Sequence, residues 1–140
     1  MKKIAVVYWS GTGNTQAMAE AVAAGAKQSG AEAAMFGASD FSKEMVSEFD
    51  GIAFGCPAMG VEVLEESEFA PMFSDVKNAL AGKKIALFGS YGWGDGEWMR
   101  SWEDECASAG ITLAADSVTC VDVPDDAALT ACKALGAALI

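Results

Sequence analysis

A three-layer, doubly wound α/β sandwich, with a five-stranded parallel sheet between two layers of helix, is the fold class this sequence predicts. Three observations predict it. Apolar runs and helical patterns alternate five times along 140 residues. Several of the runs are continuous rather than alternating, as in strands covered on both faces. Parallel neighbours also need crossover connections, almost always right-handed, and the segments between the runs supply them.

The first run, Ile4–Trp9, reads as a strand. Lys2 and Lys3 precede it as in a secretory signal, but the run stops at Trp9 and enters Ser-Gly-Thr-Gly without a small-residue cleavage pattern. A helix follows from near Thr15. Ala31–Phe36 and Gly51–Gly55 read as the second and third strands. Phe69, Met72, Phe73, Val76 and Leu80 then follow a helical stripe, in which Pro71 is tolerable only in the first turn. Lys84–Gly89 is the fourth strand, and Trp98, Trp102, Cys106 and Ala109 mark a helix whose two tryptophans belong to the core. Ile111–Val121 is the fifth strand, before a last helix striped by Leu129, Cys132, Leu135 and Leu139.

Composition narrows the function. Hydrophobic residues at 52% and charged residues at 21% describe a soluble globular chain of one domain's length. The balance of 20 acidic against 9 basic residues leaves a formal charge of -11, which opposes nucleic acid or an anionic membrane as partner and favours a basic protein. No stretch is long enough to span a bilayer, so the expected location is cytoplasmic. The four cysteines, Cys56, Cys106, Cys120 and Cys132, lie far apart with no histidine to complete a metal or catalytic site, and read as reduced, buried hydrophobes.

In doubly wound sheets ligands bind beyond the carboxyl ends of the strands, near the point where strand order reverses. That rule selects three loops. Ser10-Gly11-Thr12-Gly13-Asn14-Thr15 joins a strand to a helix start, where backbone N–H groups lack partners and the helix dipole favours an anion. The loop has neither the Lys of a triphosphatase loop nor the spacing of a dinucleotide fingerprint. Taken alone it can also read as a capped turn, the lesser of the two readings. Cys56-Pro57-Ala58-Met59-Gly60-Val61-Glu62 offers a polarizable Met, a glycine suited to a turn and a carboxylate acceptor. Ser90-Tyr91-Gly92-Trp93-Gly94-Asp95-Gly96 sets an indole between glycines, where neither helix nor strand packing buries it, so Trp93 is a candidate stacking platform.

Together, Ser10 to Thr15, Pro57-Ala58-Met59-Gly60-Val61-Glu62 and Gly89 to Gly96 resemble the flavodoxins, specifically the short-chain type of anaerobic bacteria. The resemblance covers essentially the whole chain, as a single domain of residues 1–140. It implies a sheet of strand order 2-1-3-4-5 and non-covalently bound FMN. It further implies that Ser10, Gly11, Thr12, Gly13, Asn14 and Thr15 hold the phosphate with Trp9 beside it. Met59 would cover the inner face of the ring and Trp93 the outer, and Glu62 would accept from the ring N3–H. Backbone groups around Pro57, Ala58, Gly60, Val61, Ser90, Tyr91, Gly92, Trp93 and Gly94 would meet the ribityl chain and the ring edge. Val61 stands where relatives often carry a polar residue; only Gly60 must take φ > 0 in the type II′ turn expected there.

The function implied is a low-potential one-electron carrier, in which the Gly60-Val61 peptide offers its carbonyl to N5 only in the reduced forms. The missing cation at the phosphate and the surrounding acids, Glu62, Glu65, Glu66, Glu68, Asp95 and Glu97, would disfavour the fully reduced anion and steer partners with basic docking surfaces. Those partners are redox enzymes of the ferredoxin-type oxidoreductase, hydrogenase or nitrogenase class, met by a monomer. Two rivals are an FMN-dependent NAD(P)H or quinone reductase and a phosphoacceptor receiver domain. The first has no catalytic histidine here, and the second needs an aspartate where strands 1 and 3 end in Trp9-Ser10 and Gly55-Cys56.

Overall fold

The computed structural model describes residues 2–11, 13–59, 64–92 and 94–140. Five strands, β1 (Lys3–Tyr8), β2 (Glu32–Gly37), β3 (Gly51–Gly55), β4 (Lys84–Tyr91) and β5 (Val118–Val121), form one sheet in the order β2-β1-β3-β4-β5. All four pairings are parallel. The helices are α1 (Asn14–Gln28), a short α2 (Lys43–Val46), α3 (Phe69–Val76), α4 (Glu97–Ser108) and α5 (Asp126–Ala138).

Alternation along the central strands divides the core in two. Ala5, Val7, Ile52, Phe54, Ile85 and Leu87 face the layer of α3 and α4, where Phe69, Phe73, Trp98 and Trp102 lie. Ile4, Val6, Ala53, Ala86 and Phe88 face Met18, Val22, Cys132 and Leu135 of α1 and α5. Because both faces are covered, the strands read as unbroken apolar runs. The layer of α1 and α5 is closely packed. A Cβ on Gly25 would lie 2.0 Å from the carbonyl oxygen of Lys133, and one on Gly136 would lie 2.0 Å from that of Val22.

Two sequence expectations change in detail. Pro71 is the third residue of α3, inside its first turn as expected, but the helical stripe does not run unbroken to Leu80: α3 ends at Val76 and a 3-10 turn, Lys77–Ala79, carries the chain to buried Leu80. The fifth strand is far shorter than Ile111–Val121. Leu113 bridges Ile85 and Val118 pairs with Phe88, so five steps along one chain oppose three along the other, and the excess loops out. Ser117 in that excursion donates to Glu103 Oε2 at 2.7 Å.

Lysines and acids share the amino-terminal edge of the sheet, where Glu32 opens β2 and Asp50 accepts from Lys3 N–H at 2.9 Å. Lys3 and Lys84 open β1 and β4, Lys27 lies in the last turn of α1, and Lys83 donates to the carbonyl of Phe49 at 2.7 Å. The carboxyl ends of the strands lead instead to Asp95, Asp122 and Asp125.

Candidate functional site

The loops after β1, β3 and β4 converge on a cleft of about 250 Å³. A hollow of about 450 Å³ at the opposite end of the sheet, beside Lys3, Lys27 and Phe49, is larger but is fed by no converging loops. Position at the strand ends, and not volume, decides between them.

The first loop is folded around its own hydroxyl. Ser10 Oγ accepts from Gly13 N–H at 3.0 Å, and Gly13 takes φ 94°, a left-handed conformation suited to glycine. The helix ladder begins when Ala17 N–H donates to the Gly13 carbonyl at 3.0 Å, so the preceding amides of α1 have no carbonyl inside the helix to bind. No acidic side chain occupies that first turn, and no side chain caps it. Trp9 donates from its backbone to Gly55 O at 3.0 Å and from Nε1 to Glu68 Oε2 at 3.2 Å. Its ring lies so near Gly11 that a Cβ there would come within 3.1 Å of it. Thr15 is turned inward: its Oγ1 lies 3.0 Å from Ser90 Oγ, and both residues are buried.

Pro57, Ala58 and Met59 line the cleft from the second loop. Ala58 N–H donates to Ser90 O at 3.0 Å, and Trp98 Nε1 donates to the Cys56 carbonyl at 3.1 Å. The loop returns to the core through Glu65, whose N–H donates to Cys56 Sγ at 3.3 Å. Burial holds that thiol protonated, pushing it up to about 12.

Glu65 departs from its expected place among the steering acids. It is only 5% exposed, and its carboxylate accepts from the N–H groups of Ser67, Glu68 and Phe69 at 2.9, 2.8 and 2.8 Å and from the Ser67 hydroxyl. Burial alone would raise its pKa; the four donors outweigh burial and draw it down to about 2. It is therefore the anionic start of α3, satisfied internally.

From the third loop, Ser90, Tyr91 and Gly92 line the cleft, and Tyr91 packs on Trp98 with ring centroids 5.2 Å apart. Gly94 and Gly96 take φ 85° and 86°. Arg100 holds Asp95 through Nη2 to Oδ1 and Nη1 to the backbone carbonyl, both at 3.1 Å. Trp98 and Trp102 are buried in the core, as expected. Thr12, Gly60, Val61, Glu62 and Trp93 lie outside the described residues.

Sequence reasoning missed Asp122. It lines the cleft, donates from its backbone to Tyr91 O at 2.9 Å, and holds φ 56°, the one positive φ among described non-glycine residues. The rule that selected the ends of β1, β3 and β4 points equally to the end of β5. Among the described residues no His, Cys, Asp and Glu group could hold a metal ion, and no helix is long and apolar enough to cross a membrane.

Fold and cleft together define a doubly wound α/β protein whose ligand cleft, with helix-start amides on one side and apolar side chains on another, lies at the β1/β3 switch point. The flavodoxin family profile matches residues 6–136. The chain is 45% identical to a flavodoxin of Clostridium beijerinckii, covering 87% of this chain and 88% of that one. It is 44% identical to the flavodoxin of Megasphaera elsdenii, covering 96% of each. The solution structure of the two-electron reduced Megasphaera elsdenii flavodoxin superposes with a TM-score of 0.89, covering 97% of each chain. The chain belongs to the flavodoxin family, and it is an FMN-binding electron carrier.

The residues present suit that group. The start of α1 offers backbone amides and the Ser10 hydroxyl that a phosphate could use, and among the described residues no cationic side chain lines the cleft. Gly11 and Gly92 keep the cradle open: a Cβ on Gly92 would lie 3.2 Å from Asp122 Oδ1.

Proposed function

We propose that Ser10 to Thr15 hold the FMN phosphate, with Met59 and Trp93 on the two faces of the ring, Glu62 at its pyrimidine edge, and Ala58, Ser90, Tyr91 and Gly92 along the ribityl side. FMN supplies one-electron redox chemistry; the protein binds it, orients it and sets the charge around it. The observation that supports this assignment is the convergence of three loops, one offering helix-start amides and another an apolar Met59 wall, on one cleft that among the described residues has no lysine or arginine.

The couple used is of low potential. Asp122 stands at the cleft and among the described residues no cation pairs with it, so a further negative charge on the ligand is disfavoured. The formal charge of -11 favours weak, fast encounters with redox enzymes that present basic docking surfaces, of the ferredoxin-type oxidoreductase, hydrogenase or nitrogenase class. The protein acts as a single-domain cytoplasmic monomer and carries electrons without turning over a substrate of its own.

Titration of the purified protein with FMN, followed by flavin fluorescence and then stepwise reduction, tests this reading. Quenching at one equivalent and two separated one-electron steps are expected. A protein that leaves FMN fluorescence unchanged, or that oxidises NAD(P)H by itself with turnover, would refute it.

A further inference from the structure

One residue touches all three loops of the cleft. Ser90 lies at the end of β4 in the third loop, its carbonyl accepts from Ala58 N–H of the second at 3.0 Å, and its Oγ lies 3.0 Å from Thr15 Oγ1 beside the first. Thr15 is 1% exposed and Ser90 5%, so water does not freely serve either hydroxyl.

Two hydroxyls carry two protons, and the bond between them uses one. If Thr15 donates to Ser90, the remaining proton sits on Ser90 and faces the cleft. If Ser90 donates to Thr15, the remaining proton sits on Thr15, in the first turn of α1. A buried donor without an acceptor is costly, so the pair adopts the direction that gives its second proton a partner. An anion at the start of α1 is the stronger acceptor and selects the second direction.

We propose that Ser90 is a positioning residue: its hydroxyl donates to Thr15, turns the Thr15 proton toward the FMN phosphate, and leaves Ser90 Oγ as an acceptor toward the ribityl side of the cleft. Phosphate occupancy is thereby transmitted to the loops that hold the rest of the ligand. This rests on the flavin site proposed above. It assigns to Ser90 a role in reading the phosphate that it does not touch.

The test compares FMN with riboflavin, which lacks the phosphate, by fluorescence titration of the whole apoprotein. In wild type, FMN binds more tightly than riboflavin by a measurable ratio. Ser90→Ala is expected to lower that ratio about fivefold or more, and Thr15→Val to lower it similarly. The double variant loses little beyond either single one, because both break the same relay. Thr15→Ser, which keeps the hydroxyl, is expected to retain the ratio. Equal losses for FMN and riboflavin in Ser90→Ala would make Ser90 a packing residue and overturn the relay, as would strictly additive effects. If wild type binds neither flavin, the site assignment itself falls; if it binds FMN and the ratio is unmoved by Ser90→Ala, the relay alone falls.

Discussion

The indole nitrogen of Trp98 donates to the carbonyl oxygen of Cys56 at 3.1 Å, joining α4 to the loop that leaves β3. The contact also explains a glycine. A Cβ on Gly89 would lie 2.2 Å from that carbonyl oxygen and 3.2 Å from the Trp98 ring. Trp98→Phe keeps most of the apolar volume but orphans a buried acceptor, an expected loss of about 1–3 kcal/mol in urea unfolding. Gly89→Ala should cost more, since the carbonyl cannot retreat without breaking the Trp98 bond. Equal stability of Trp98→Phe and wild type would show that the bond contributes nothing.

Glu65 links folding to pH. An ordinary glutamate titrates near 4.5, while this one is drawn down to about 2, so its contribution is complete above pH 4.5 and disappears as the pH falls through 2. The shift corresponds to about 3 kcal/mol. Glu65→Gln is expected to lose most of that at pH 7, and the gap from wild type should narrow at pH 3. A gap of the same size at both values would assign the loss to packing instead of charge.

Helix propensity and packing make opposite forecasts at Gly136. Alanine is favoured over glycine in a helix interior by about 1 kcal/mol. Here, however, the added Cβ would lie 2.0 Å from the Val22 carbonyl oxygen and 2.9 Å from the Ala26 nitrogen. These are backbone atoms of α1, so the helices must separate, at an expected net cost of about 1–3 kcal/mol. Thermal unfolding of Gly136→Ala decides the sign; a raised midpoint would mean that α1 and α5 part easily.

Asp122 offers a test of charge at the cleft with the backbone left alone. Asparagine tolerates the left-handed φ of 56° that most residues resist. Asp122→Asn is therefore expected to tighten FMN binding a few-fold, at most by about 1 kcal/mol for an exposed carboxylate. The gain should fade as salt is added. Weaker binding in the variant would show that the carboxylate acts as an acceptor for the ligand and not as a repelling charge.

The layers were readable because continuous apolar runs such as Gly51–Gly55 admit few environments other than the middle of a covered sheet, whereas the strand order came only with the family resemblance. The three loops were readable because strand ends concentrate glycine and hydroxyl residues. Glu65 was not. In Glu65-Glu66-Ser67-Glu68 nothing local separates the carboxylate that turns inward from those that face water; the distinction arises when α3 docks and its first amides need an acceptor. Thr15 was singled out as a donor in the first loop, but its pairing with Ser90 joins residues 75 positions apart and no spacing rule reaches that far. The first part of Ile111–Val121 misled for a related reason: apolar character marks what packs near β4, whereas pairing with it also requires the two chains to advance in step.

Lysines offset the acids at the amino-terminal edge of the sheet, while aspartates gather beyond its carboxyl edge, and this unevenness has a consequence for motion in solution. A body whose negative charge is less balanced at one end than at the other experiences a torque in the field of a charged partner before the two surfaces meet. Lys3, Lys27 and Lys84 would then trail while the end bearing Asp95, Asp122 and Asp125 leads. Random collisions become aimed ones, and the end that leads is the end where the cleft opens.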